Sequence, residues 1–155
     1  MHPMIDLDQR LAAALQRGIA ENDWNRARTE VGLALAACPS SAKALLAFGV
    51  CQFHIRDFTG AIATLERAAS AARRSSAEGA APWGSIYLFR ALAYAARRLP
   101  QAARADFELL RQLDPSPIHW ERFAAVLKPD ELTRARIAAD GAGLIESATG
   151  TDEPN

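Results

Sequence analysis

Residues 57–68 read DFTGAIATLERA, and this stretch decides the fold. Small residues at Ala61 and Ala68 flank the larger Leu65, at spacings of four and three residues. In an α-helix these spacings place the three side chains on one face. Asp57, the first residue of the stretch, is a residue type favoured at the N-cap of a helix. The stretch therefore predicts an amphipathic helix that packs closely against a neighbour at its alanines.

The pattern of residues 56–76 occurs again 34 residues earlier, in residues 22–42. A third copy, residues 98–116, follows at an offset of 42, so eight extra residues are expected as an insertion within 73–85. A constant offset of several features predicts a repeat architecture. The aligned residues are Trp24 and Phe58; Ala27, Ala61 and Ala103; Val31, Leu65 and Phe107; and Ala34, Ala68 and Leu110.

A second helical pattern precedes each copy, so the predicted unit is a helix, a short turn and another helix. The three units span 8–41, 42–75 and 84–117. Asp23 and Asp57 are expected to start the second helix of their units, and Pro100 to occupy a first helical position. Since such a unit cannot bury its own apolar face, its stability must come from stacking on its neighbours.

With these features the chain resembles a tetratricopeptide repeat protein, a family of stacked antiparallel helix pairs with a 34-residue period. The resemblance covers about residues 8 to 117. Its small close-packing positions match Gly49, Ala27, Ala61, Ala91 and Ala103, while Leu15 and Leu110 are larger than the family usually has. The resemblance implies an all-α fold, an α-solenoid of three helix pairs.

The remaining residues are expected to complete one domain that spans 1–148. Pro117 and Pro129 are interpreted as starts of C-terminal capping helices within 117–148, with Trp120 and Phe123 covering the third unit. Residues 149–155 are expected to form a flexible acidic tail.

Composition bears on several function classes. Eighteen basic and eighteen acidic side chains balance, which argues against binding to nucleic acid. Cys38 and Cys51 lack further ligands at metal-site spacing, so we expect no metal and no cofactor. With no secretory signal and no membrane span in the sequence, a cytoplasmic location is expected. No catalytic motif is evident, and carboxylates such as Asp106 are interpreted as part of a solvated helix face, so the chain is predicted not to be an enzyme.

In the resembled family, the first helix of each pair lines a concave groove that holds a peptide or a helix. The matching positions are Ala12, Gln16, Ile19, Lys43, Leu46, Val50, Phe53, His54, Ser85, Leu88, Leu92 and Ala95. This set is mostly apolar and lacks the charged residues that grip a terminal carboxylate. The resemblance therefore implies a protein-interaction module, an adaptor or a chaperone, that binds an apolar peptide or an amphipathic helix. Two alternatives remain open: these residues pack against the chain's own C-terminal helices, or the surface forms a homo-oligomer.

A narrower resemblance concerns residues 48–69 and 88–113. The first segment, FGVCQFHIRDFTGAIATLERAA, is similar to the second repeat of bacterial type III secretion chaperones. The second segment resembles their next repeat more loosely. This implies an alternative role as a cytoplasmic chaperone for a translocator or needle subunit.

Overall fold

A computed structural model describes residues 3–75 and 81–144. Helices are the only regular secondary structure in these two ranges, which confirms the predicted all-α class. Seven α-helices are joined by connections of two to eight residues, except that a longer segment with one short 3-10 helix, Trp120–Phe123, precedes the last. The α-helices are α1 Pro3–Glu21, α2 Trp24–Ala37, α3 Ala42–His54, α4 Phe58–Arg74, α5 Trp83–Ala96, α6 Pro100–Leu113 and α7 Pro129–Gly141.

The helix starts follow from the residue types that precede them. The side chains of Asp23, Ser41 and Asp57 each accept a hydrogen bond from the backbone N–H three residues later. Each bond satisfies a donor that has no partner within the helix. Pro100 and Pro129 open α6 and α7, where a missing N–H costs nothing. The starts predicted at Asp23, Asp57, Pro100 and Pro129 are therefore confirmed.

The turns inside the helix pairs are alike. Asn22, Arg56 and Arg98 have left-handed backbones, with φ of 51°, 67° and 64°. The backbone N–H of Asp57 donates to the carbonyl of Gln52 at 2.8 Å, and Leu99 donates to Tyr94 at 2.9 Å. Helices commonly end with one left-handed residue, and the backbone N–H of the next residue then donates to the carbonyl five residues earlier. The left-handed residues are separated by 34 and 42 positions, the same offsets that relate the sequence copies.

Contacts between the helices follow the order of the chain. Each α-helix from α1 to α6 packs on the next one, and α3 also contacts α1 and α5. The last helix, α7, packs on both α5 and α6. Helix α3 thus lies between α1 and α5, the three helices from which the predicted groove residues come.

Helices α3 and α4 approach each other closely at Gly49. A Cβ atom on Gly49 would lie 2.8 Å from Cδ2 and 2.9 Å from Cγ of Leu65, which is fully buried. Ala61, Ala91 and Ala103 are also completely buried. Because the neighbouring helix occupies the space beside them, these positions require small side chains.

Asp106 corrects one sequence interpretation. Its carboxylate is only 3% exposed instead of lying on a solvated face. Arg90 donates two hydrogen bonds to it, from Nε at 2.8 Å and from Nη2 at 2.7 Å. Burial raises the pKa of Asp106, and the Arg90 guanidinium opposes that change. Asp106 follows Ala103 by three residues and therefore shares its buried face.

The C-terminal segment also differs from its prediction. No α-helix starts at Pro117; the chain from Asp114 to His119 is irregular and leads into the 3-10 helix. Trp120 and Phe123 are nevertheless buried, at 3% exposure each, in the same cluster as residues of α5 and α6. Residues 76–80 of the predicted insertion, residues 145–148 and the predicted tail 149–155 lie outside the described residues.

Candidate groove on the face of α1, α3 and α5

The chain's own C-terminal segment covers one end of the face formed by α1, α3 and α5. Phe53 and Leu92 are fully buried, and Ala95 is 2% exposed. All three belong to one apolar cluster with Trp120 and Phe123. The sequence left open whether the groove residues pack against the chain's own C-terminal helices or form a homo-oligomer. These three residues are buried within the chain together with its C-terminal segment. A partner therefore cannot reach them in this structure.

Aromatic rings form the centre of this covered end. The ring of Phe123 lies 6.3 Å from that of Phe53 and 6.1 Å from that of Phe89, measured between centroids, and meets both edge to face. Edge-to-face contacts add to the gain from burial. The 3-10 helix thus inserts one side chain between α3 and α5 and closes the face at this point.

Hydrogen bonds hold the segment in place. Arg56 donates two bonds to the Glu131 carboxylate, both at 2.8 Å, and a third to the carbonyl of Val126 at 2.7 Å. The Arg56 guanidinium lowers the pKa of Glu131, which keeps this carboxylate ionised. Arg134 of α7 donates to the carbonyl of Ala95. These bonds attach the C-terminal segment, at residues 126–134, to the ends of α3 and α5.

The other end of the face is open. A cavity of about 360 Å³ lies across α1, α3 and α5. Its polar groups include Lys43 and Asp8, whose side chains are 3.4 Å apart. We call this surface the open groove; it is lined by Asp8, Leu11, Leu15, Lys43, Leu46, Ala47, Val50, Ser85 and Phe89.

The open groove is short. Along α3 it extends from Lys43 to Val50, eight residues separated by seven helical steps. At 1.5 Å per residue this is roughly 10 Å, the length of two helical turns. An occupant can therefore bury about two turns of one apolar face within it.

His54 packs against aromatic rings, among them that of Phe89, which also lines the open groove. Its ring stacks on Trp24 with centroids 3.9 Å apart and planes 6° apart, and Phe89 lies 6.4 Å away. Burial lowers the pKa of His54 to about 4. The imidazole is therefore neutral near pH 7 and acts as part of an apolar wall.

The predicted groove residues separate into groups. Leu46 and Val50 line the open groove. Gln16 and Ile19 are exposed on α1, with Ile19 at 68%, and do not line it. Leu88 lines a different cavity, beside Phe123.

Sequence reasoning missed Leu15 and Phe89 as groove residues. Both line the open groove. Leu15 occupies a position where the resembled family usually has a small residue, and Phe89 a position where a subfamily has a charged one. Two large apolar side chains at such positions were the signal that could have identified them.

The thiol of Cys51 and the arrangement of possible metal ligands are two further features of the described residues. Cys51 is fully buried, and burial raises the pKa of its thiol to about 12, so the nucleophilic thiolate is scarce. In the ranges 3–75 and 81–144, no three His, Cys, Asp or Glu side chains cluster as metal ligands would. The open groove instead presents apolar surface, which can bind an apolar segment by excluding water.

Comparison of the chain with protein-family models, with curated proteins and with solved structures gave no match. Among the helices of the described residues, none combines the length and the apolar character needed to cross a membrane.

Proposed function

We propose that the chain is a helical-repeat module of the tetratricopeptide type that binds an amphipathic helix of another protein in its open groove. The observation that carries this proposal is the division of one apolar face. Its Phe53 and Leu92 end is covered by the chain itself, whereas the end at Leu46 and Val50 is accessible. Apolar surface left open beside a covered core is typical of interaction sites.

The repeat character is supported by the turns and by the small residues. Left-handed residues recur at the offsets that relate the sequence copies. Gly49 and Ala61 lie between α3 and α4, and Ala91 and Ala103 between α5 and α6, at the positions that the resemblance implies. These features favour stacked pairs whose first helices share one face.

The dimensions and charges of the groove define its partner. A floor of Leu15, Leu46, Val50 and Phe89 suits apolar side chains spaced three and four residues apart on a helix. Lys43 and Asp8 carry opposite charges, so the rim favours neither an acidic nor a basic partner. A contact of two turns is small, so we expect weak and reversible binding.

The chaperone role expected from residues 48–69 is a special case of this proposal. An export subunit held before secretion would present its amphipathic helix to the open groove. The covered end would bind no segment of that subunit, because Phe123 occupies it.

Peptide selection tests the proposal. Helical peptides selected from a random display library against the full chain should carry apolar residues at three and four spacing. Their Kd should rise at least about tenfold in Leu46→Glu, which places a charge on the groove floor. Leu33→Glu is the matched control, because Leu33 lies on α2, outside the groove lining, and is 64% exposed. Selected peptides that bind Leu46→Glu as tightly as the unchanged chain would contradict the proposal.

A further inference from the structure

A second cavity, of about 380 Å³, lies between the α5–α6 turn, α6 and α7. Its floor is apolar and includes Ala95, Pro100 and Ala138. It shares no residue with the open groove. We call it the arginine cleft, because Arg98, Arg104 and Arg134 line it and, among residues 3–75 and 81–144, no carboxylate does.

The three guanidinium groups differ in how they are held. Arg134 is fixed, since its Nε donates to the carbonyl of Ala95 at 3.0 Å and its Nη1 to Asp130 at 3.0 Å. Arg104 makes only an exposed contact of 3.3 Å with Glu108. Arg98 is exposed and makes no hydrogen bond or ion pair with a side chain of the described ranges 3–75 and 81–144. The cleft therefore offers Arg98, and in part Arg104, to an anionic group.

Apolar side chains lie beside these charges. Ile137 lines the cleft and is 67% exposed, although it belongs to a helix whose other face is buried. Leu99 follows Arg98 in the α5–α6 turn and is 47% exposed, but it does not line the cleft. The exposed Ile137 side chain in a cationic recess leaves both apolar and electrostatic energy to be gained by one ligand.

We propose that the arginine cleft docks a second partner segment, an acidic amphipathic helix of another protein. Its apolar side chains cover Ile137 and Leu99, and its carboxylates pair with Arg98 and Arg104. Arginine suits this role because its planar donors match a carboxylate in two-point contact. The charge complementarity is local, because the whole chain has a formal net charge of zero.

The shape and composition of the cleft favour a peptide over other anions. No aromatic side chain from the described part of the chain lines it, so stacking with nucleic-acid bases has no platform. A concave recess suits the side chains of a peptide better than the surface of a bilayer. Nucleic acid and anionic membrane are therefore alternatives for experiment to reject.

Fluorescence anisotropy of a labelled peptide tests the inference on the full chain carrying Leu46→Glu, a substitution that weakens binding of amphipathic helices at the open groove. The probe is an amphipathic helix of about 18 residues, or five turns, with leucines on one face and glutamates elsewhere. We expect saturable binding with Kd below about 1 mM, weakened by added salt. The Kd should rise at least about tenfold in Arg98→Glu and in Arg104→Glu. A peptide with lysines in place of the glutamates should not bind.

Two substitutions separate this site from other surfaces. Leu46→Glu, present in every protein of this experiment, removes the contribution of the open groove. Arg67→Glu makes the same charge change at an exposed arginine of α4 that does not line the cleft and should leave the affinity unchanged, so the arginine cleft and the open groove can fail independently. The inference is overturned if the acidic peptide does not bind or binds equally to Arg98→Glu. It is also overturned if only phosphatidylserine vesicles or a single-stranded oligonucleotide bind.

Discussion

At the scale of single residues, Gly49 shows how sequence spacing becomes packing. The position was predicted to be small because two helices approach there, and Leu65 of the paired helix occupies the space that a side chain would need. Leu65 is completely buried, so surrounding atoms oppose any shift of its side chain.

Substitution of this glycine should therefore destabilise the protein. Alanine favours a helix by about 1 kcal/mol over glycine, but the clash with Leu65 should cost about 1 to 3 kcal/mol. We expect Gly49→Ala to lower the free energy of unfolding measured in urea. Gly32→Ala is the matched control: its Cβ would lie 3.5 Å from Phe48, an ordinary contact, and should raise that free energy by up to about 1 kcal/mol. Equal effects of the two substitutions would contradict this explanation.

His54 should make stability depend on pH. Its pKa is lowered from 6.5 to about 4 by burial, so between these values the unfolded chain binds a proton that the folded chain excludes. The free energy of unfolding should therefore fall as pH decreases from 6.5 to 4, by roughly 3 kcal/mol from this group. His54→Phe preserves a ring beside Trp24 and should show a loss over this range smaller by that amount, in urea unfolding at several pH values. Parallel pH profiles for the two proteins would reject this role.

At the scale of elements, the pair of Arg56 and Glu131 joins the α3–α4 turn to the start of α7. Glu131 is 7% exposed and also accepts a bond from the backbone N–H of Lys128 at 2.8 Å. The Arg56 side chain is 35% exposed, but a bidentate pair whose carboxylate is mostly removed from water should still contribute more than a fully exposed one.

A double-mutant cycle measures this coupling. We expect Arg56→Gln and Glu131→Gln to show an interaction energy of about 1 to 2 kcal/mol in urea unfolding. The exposed pair of Arg104 and Glu108 is the control, and its coupling should stay below about 0.5 kcal/mol. A coupling of Arg56 and Glu131 no larger than the control's would mean that this pair does not hold the segment.

The helices were predictable because their information is local. Apolar residues at three and four spacing, together with caps such as Asp57 and Pro129, indicated where helices run and begin. The segment after Leu113 was not predictable in this way. Pro117 was interpreted as a helix start, but no α-helix begins there. Trp120 and Phe123 instead pack into a cluster with residues of earlier helices. The local spacing of residues does not predict such a contact.

At the scale of the whole molecule, contacts between residues distant in sequence explain why the site was predicted only in part. Family position placed Leu46 and Leu92 equally in a groove. Leu92 is buried in one cluster with residues far along the chain, such as Trp120 and Phe123, whereas Leu46 lines the open groove. The charges of the arginine cleft likewise come from α6, α7 and the α5–α6 turn, which sequence spacing alone does not bring together.

Division of the face into a covered and an open end is tested most directly by urea unfolding of Leu92→Glu and Leu46→Glu. Leu92→Glu should lower the free energy of unfolding by more than about 4 kcal/mol, because it buries an unpaired charge in the core. Leu46→Glu should lower it by about 1 kcal/mol, because the new carboxylate can reach water. Equal losses would contradict the division: two small losses would mean that the C-terminal segment leaves Leu92 accessible, and two large ones that the open groove is part of the core.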